Sequence, residues 1–146
     1  MSEDLHWPLD RQRRQQETQR LRAAGLRTTR QRLQLSALLF ARGERHLTAE
    51  QLLQEAQQAG LKISLATIYN TLKSFTDHGL LATVPLGSGR ILFDTNTRPH
   101  FHLHLEETGE LIELPPDPAA LAERLRDYDP ERLEILAHVR PAPKDD

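Results

Sequence analysis

His100, His102 and His104 stand at alternate positions in the stretch RPHFHLHLEETGELIEL, residues 98–114, and a single acid, Glu113, lies in the apolar run after the turn. In an extended strand, side chains two apart share a face and lie roughly 6.5–7 Å from one another. Imidazoles set out in this way can ligate a metal ion or supply an axial ligand to haem iron. Neutral imidazoles combined with carboxylates suit divalent Fe, Mn or Zn, and the residue types alone do not choose among them. The chain has no cysteine, which removes disulfides, thiolate zinc and thiolate-ligated haem or iron–sulfur chemistry. A solitary histidine is more often solvated or satisfied by a neighbour, and His6, His78 and His138 are read that way.

A second group of residues has chemistry suited to a polyanion. Residues 64–79, SLATIYNTLKSFTDHG, open with Ser64 as N-cap and place Leu65, Ile68, Leu72 and Phe75 at the spacing of one helical face. The opposite face carries Thr67, Tyr69, Asn70, Thr71, Lys73 and Ser74, with no acid before Asp77. Hydroxyls and a helix N-terminus hold phosphates, asparagine pairs with adenine, and an aromatic ring lies against a thymine methyl. Arg27, Arg30 and Arg32 lie at the start of the second helical segment, residues 28–42, and Arg90 follows the turn GSG, all placed for backbone phosphate contacts.

The elements that must position these residues follow from the pattern. Residues 11–24 are helix-forming and almost wholly polar, ending at Gly25; residues 1–17 read as a polar N-terminal extension. TTRQRLQLSALLFAR carries Leu33, Leu35, Leu38, Leu39 and Phe40 on a helix that stops at Gly43. TAEQLLQEAQQAG begins with a capping box, Thr48 and Gln51, and closes on Gly60. The period then becomes extended. Residues 80–85 and 90–94 around GSG read as a hairpin, and three helices followed by a hairpin make a winged helix-turn-helix. TNTRP, residues 95–99, is a polar hinge. Beyond it lie two strands around EETG, a helix capped by Asp117 with Pro118 at its first position, and a last strand at 132–140.

The expected fold class is therefore α+β. A DNA-binding domain spans residues 1–94, a hinge 95–99, and a small α/β domain for dimerisation and ligand sensing 100–146. That second domain is too short to bury much core alone and gains area by pairing with its copy. Charge follows the same division. Residues 1–90 carry 13 basic against 8 acidic side chains, and residues 91–146 carry 6 against 13. No apolar run approaches the ~20 residues of a membrane span, and the first residues lack a secretory h-region. The expectation is a cytoplasmic protein.

HLTAEQLLQEAQQAGLKISLATIYNTLKSFTDHGLL, followed by FD and an HxH strand, resembles the ferric uptake regulator (Fur) family of bacterial repressors from about residue 18 to residue 114. SLATIYNTL matches its recognition helix nearly letter for letter. HLT, IYNTL, FDTN and the absence of cysteine look closest to the iron response regulator (Irr) branch. The resemblance implies a homodimer on a double-stranded operator that regulates iron homeostasis, with Tyr69 near the bases and Ser64, Thr67 and Asn70 on the same face. It also implies a sensory site made of His46, Asp94, His100, His102 and Glu113, drawn from both sides of the hinge. His104 lies outside that pattern and is an additional candidate ligand for metal or haem.

Departures from the family are informative. Leu105 and Thr108 stand where the family carries cysteines, so a structural four-cysteine zinc is not expected. Pro99 and Phe101 replace the His and Asp of a further family site, and Phe101 interrupts the three adjacent histidines often seen in the iron response branch. Haem, if bound, needs one of these histidines with another ligand, because two axial imidazoles from one strand fit poorly. Three alternatives remain open: a peroxide sensor of the same family, a metal store, and a metal-dependent hydrolase. For the hydrolase there is no Gly-rich phosphate loop, HExxH motif or activated nucleophile.

Overall fold

The computed structural model describes residues 9–86 and 89–132. The chain divides into two compact units between Thr97 and Arg98. The expected last strand at 132–140 lies outside the described residues apart from Arg132, which ends a short 3-10 turn, Pro130–Arg132. No helix among the described residues is long and apolar enough to cross a membrane.

Among the described residues of the first unit, four helices accompany a small sheet. Helix α1 (Arg11–Ala23) is capped by Asp10, whose side chain accepts the Arg13 N–H. Helix α2 (Arg30–Phe40) is capped by Thr29 in the same manner. Strand β1 (His46–Leu47) leads into α3 (Ala49–Gln58), and the capping box is complete: Thr48 accepts from the Gln51 N–H and Gln51 from the Thr48 N–H. Helix α4 (Leu65–Asp77) starts at Ser64, whose hydroxyl accepts the Thr67 N–H. Such caps each contribute about 1 kcal/mol by satisfying otherwise orphaned donors. The α1, α3 and α4 helices are followed by Gly25, Gly60 and Gly79 with φ near +80°, where glycine alone carries no Cβ penalty.

The core is the apolar stripe of each helix. Leu21, Leu35, Leu39, Leu52, Ile68, Leu72 and Phe75 are fully buried against one another. Each large side chain contributes roughly 1.5–3 kcal/mol by leaving water. Two expectations change on α4. Leu65, in its first turn, is exposed, while Thr71 is buried. At about 100° per residue, position 71 lies about 60° from 68 and about 40° from 75, at the edge of the stripe, where the packing of neighbouring helices decides which residue is covered.

The α1 helix is more than a polar extension. Glu17 is fully buried, with its carboxylate accepting from the Ser36 hydroxyl at 2.5 Å and the Arg20 Nε at 3.1 Å, and with Arg13 at 3.5 Å. Arg20 also lies over the Phe40 ring, 4.3 Å from its centroid. A buried carboxylate needs such donors, and they lock α1 onto α2.

The wing sheet contains one strand that the sequence pattern does not announce, the two-residue β1. Strand β3 (Arg90–Asp94) pairs antiparallel with β2 (Ala82–Leu86) on one side and with β1 on the other, giving the order β1-β3-β2. The register sets His46 opposite Asp94 and Leu47 opposite Phe93.

The second unit holds an antiparallel hairpin, β4 (Phe101–His104) and β5 (Leu111–Leu114), then α5 (Pro118–Leu125), capped by Asp117 with Pro118 at its first position. Gly109 adopts φ +73° in the connecting turn. None of the residues in these three elements is fully buried.

Candidate metal centre and nucleic-acid interface

The candidate ligands form two donor sets, one in each unit. In the first, the β1–β3 register brings His46 beside Asp94, and His46 Nε2 lies 3.1 Å from Asp94 Oδ2. Asp94 is fully buried, and its Oδ1 accepts the Asn96 N–H at 2.8 Å. Thr95 is tied to Arg45 by reciprocal backbone and hydroxyl bonds, so residues 94–96 follow the sheet rather than swinging free of it. A buried carboxylate held in this way keeps one oxygen directed at an imidazole. An imidazole and a carboxylate held this way are groups of the types that ligate divalent metals.

In the second unit, β4 and β5 set His102 opposite Glu113. His100, just before β4, points its Nε2 to within 2.8 Å of His102 Nε2 and 3.5 Å of Glu113 Oε1. The two rings meet edge to face, with centroids 4.3 Å apart, and His100 Nδ1 bonds the Arg98 carbonyl. That second bond favours a proton on Nδ1 and leaves Nε2 as the lone-pair atom. Two imidazole nitrogens and a carboxylate oxygen converging within this range form a donor set that fits a divalent ion. His104 is paired with Leu111 at the far end of β4 and is exposed.

The expected DNA-facing residues lie in the first unit. Tyr69 and Asn70 are exposed on α4, and Thr67 is half-buried. The Ser64 and Thr67 hydroxyls are 2.9 Å apart at the helix N-terminus. Lys73 is exposed and bonds Asp77 at 3.0 Å, one turn on, so its charge is partly shared. Arg27, Arg30 and Arg90 are exposed. Arg32 is half-buried, and its guanidinium donates to the Arg27 carbonyl at 3.0 Å, which gives it a part in holding the loop before α2.

One residue on this face was not singled out from the sequence. Glu50, in the first turn of α3, accepts a 2.9 Å hydrogen bond from the Tyr69 hydroxyl. Its carboxyl is held below the usual range by backbone and Tyr69 hydrogen bonds and by the nearby Arg90 charge. The Tyr69 phenol is correspondingly pushed up, mainly by the bond to Glu50. The acid at the second position of a capping-box helix was visible, but its nearness to Tyr69, 19 residues away, was not.

A winged helix-turn-helix with an uncrowded polar recognition face, followed by a hairpin unit carrying a converging His–His–Glu set, defines a DNA-binding protein class that also carries metal-ligand chemistry. The model of the ferric uptake regulator family matches residues 23–135, and the chain belongs to that family. It is 33% identical over 121 residues to the peroxide-responsive repressor PerR of Staphylococcus aureus strain Mu50, covering 79% of this chain and 81% of that protein. The ferric uptake regulator of Pseudomonas aeruginosa with manganese superposes with a TM-score of 0.63 at 29% identity, covering 86% of this chain and 92% of that one. The Vibrio cholerae ferric uptake regulator gives the same TM-score and identity, covering 83% and 92%.

Proposed function

We propose that the protein is a metal-responsive transcriptional repressor of iron homeostasis genes. It acts in the cytoplasm as a homodimer on a double-stranded operator and is a regulator, not an enzyme. The observation that carries this reading is the pre-pairing of donors by strand register. His46 faces Asp94 in one unit, and His102 faces Glu113 with His100 beside them in the other. Each of the five offers one ligand atom, a histidine nitrogen or a carboxylate oxygen. Together they would hold a single Mn, Fe or Zn ion.

When bound, that ion supplies the positive charge that both carboxylates and the imidazoles share. His46 and Asp94 are fixed to the sheet that carries the wing, and His100, His102 and Glu113 to the sensing hairpin. Recruiting both sets to one ion sets the angle between the two units, and in a dimer that angle spaces the two recognition helices on DNA. Tyr69 and Asn70 then face the bases, while Ser64, Thr67, Lys73, Arg27, Arg30 and Arg90 hold phosphates. Arg32 supports the same surface from beneath. The incompletely covered hairpin and α5 of the second unit supply the surface for pairing with a second copy.

The test is Mn(II) binding by His46→Ala and Glu113→Ala, one from each donor set. Loss of tight binding in both, with the dimer still folded, supports one shared site. Full retention by either removes that residue and the coupling between units. The likeness to peroxide-responsive repressors supports a second reading, oxidation of a ligand histidine by peroxide at bound iron. A 16 Da gain on His46 or His100 after peroxide treatment of the Fe(II)-loaded protein would favour it. Haem, through His100, His102 or His104, is the competing signal expected of the iron response branch. A Soret band that shifts in His102→Ala, with a change in operator affinity, would favour haem.

A further inference from the structure

Tyr69 is the largest exposed side chain of the recognition helix, yet it is not a free rotor. Its hydroxyl donates to Glu50 Oε1 at 2.9 Å, from a helix whose own start is pinned by the Thr48–Gln51 capping box. Arg90 of the wing is close enough to act on the same carboxylate. An acid on a surface meant for phosphates weakens binding to every duplex, so its presence there calls for a compensating role.

We propose that Glu50 is a specificity-determining residue that holds the Tyr69 ring in one orientation and commits its hydroxyl proton, so that the pair presents only acceptors to the bases. A phenol whose proton is taken offers lone pairs alone, and an ionised carboxylate is acceptor-only. In the major groove such a surface matches the amino groups of adenine and cytosine, and it is mismatched to the acceptor edges of guanine and to thymine O4. Without Glu50 the hydroxyl would regain its donor and tolerate both kinds of edge. Glu50 is thus a positioning residue acting through Tyr69. The inference rests on the DNA-reading role proposed above.

The experiment selects duplexes from a random-sequence library with the full-length, Mn(II)-loaded protein, then measures affinity for the selected operator and for a scrambled duplex. Glu50→Ala is expected to blur base preference at one position per half-site and to lower the specific-to-non-specific affinity ratio about three- to tenfold, the scale of one exposed hydrogen bond. Tyr69→Phe should blur the same position. The double variant should be no worse than either single one, because both remove one interaction. Glu50→Gln keeps an acceptor oxygen for the Tyr69 hydroxyl but adds an amide donor beside it, so it should restore the preference only in part, while tightening binding to both duplexes by a similar factor through its lost charge. Unchanged base preference in Glu50→Ala, or additive effects in the double variant, would overturn the proposal. Failure of the wild-type chain to select any duplex would instead refute the DNA-reading role, and this inference with it.

Discussion

Asp94→Asn is the sharpest perturbation of the candidate metal centre. The side chain keeps its size, and its remaining oxygen can still accept the Asn96 N–H. What is lost is the negative charge facing His46 at 3.1 Å, in a fully buried position. Without metal the change is expected to be mild. A charge-assisted bond is exchanged for a neutral one, but burying a carboxylate also ceases, so stability should move by no more than about 1–2 kcal/mol. Metal binding should change far more. Altering even an outer partner of a ligand costs about 10–100-fold in affinity, so loss of an anionic ligand should reach at least the upper end. At Mn(II) one hundred times the wild-type Kd, linkage adds about 2.7 kcal/mol to wild-type stability; a 100-fold weaker site gains only about 0.4 kcal/mol. Urea unfolding followed by circular dichroism, with and without Mn(II), measures both numbers, and calorimetric titration measures the Kd itself. If the Asp94→Asn protein binds Mn(II) within threefold of wild type, Asp94 leaves the ligand set and the paired-donor reasoning is refuted.

Tyr69→Ala should weaken binding to the operator while leaving scrambled DNA nearly unaffected; equal losses on both would deny it a base-reading role. Arg30→Ala and Arg90→Ala should each reduce the slope of log affinity against log salt by about one unit, measured by fluorescence anisotropy across a salt series. Asp77→Ala should release Lys73 from its ion pair and tighten binding to any duplex, and an unchanged affinity would show that Lys73 does not reach phosphate. The Tyr69 phenol is raised by its bond to Glu50, so its absorbance transition should lie above the ordinary value of about 10. In Glu50→Ala that transition should move down, and its staying in place would mean that the bond does not form in solution. Ser36→Ala removes one hydrogen bond to the buried Glu17 carboxylate and should cost about 1–2 kcal/mol in urea unfolding, with an unchanged denaturant slope.

Sequence by itself determined the local structure and the family. Ser64, Thr48 with Gln51, and Asp117 act as the caps their types and spacing predict, because a cap is a contact between residues two or three apart and carries its own geometry. The stripe through Leu52, Ile68, Leu72 and Phe75 was equally legible, since helical period and burial coincide there. The alternation of His100, His102 and His104 put the imidazoles on one face of a strand, and the strand register then sets His102 opposite Glu113. Tertiary structure alone decided the contacts between distant residues. His46 meets Asp94 only because a two-residue strand adds to the wing across 48 positions, and so short a strand has no periodicity to detect. Glu17 looked like one more polar residue of a polar helix until Ser36, Arg20 and Arg13 were found around it. Thr71 and Leu65 exchanged their expected places because neighbouring helices, not residue type, set which part of a face is covered. The bond between Glu50 and Tyr69 depends on how α3 crosses α4, and a crossing angle is set by packing between two surfaces that neither helix encodes alone.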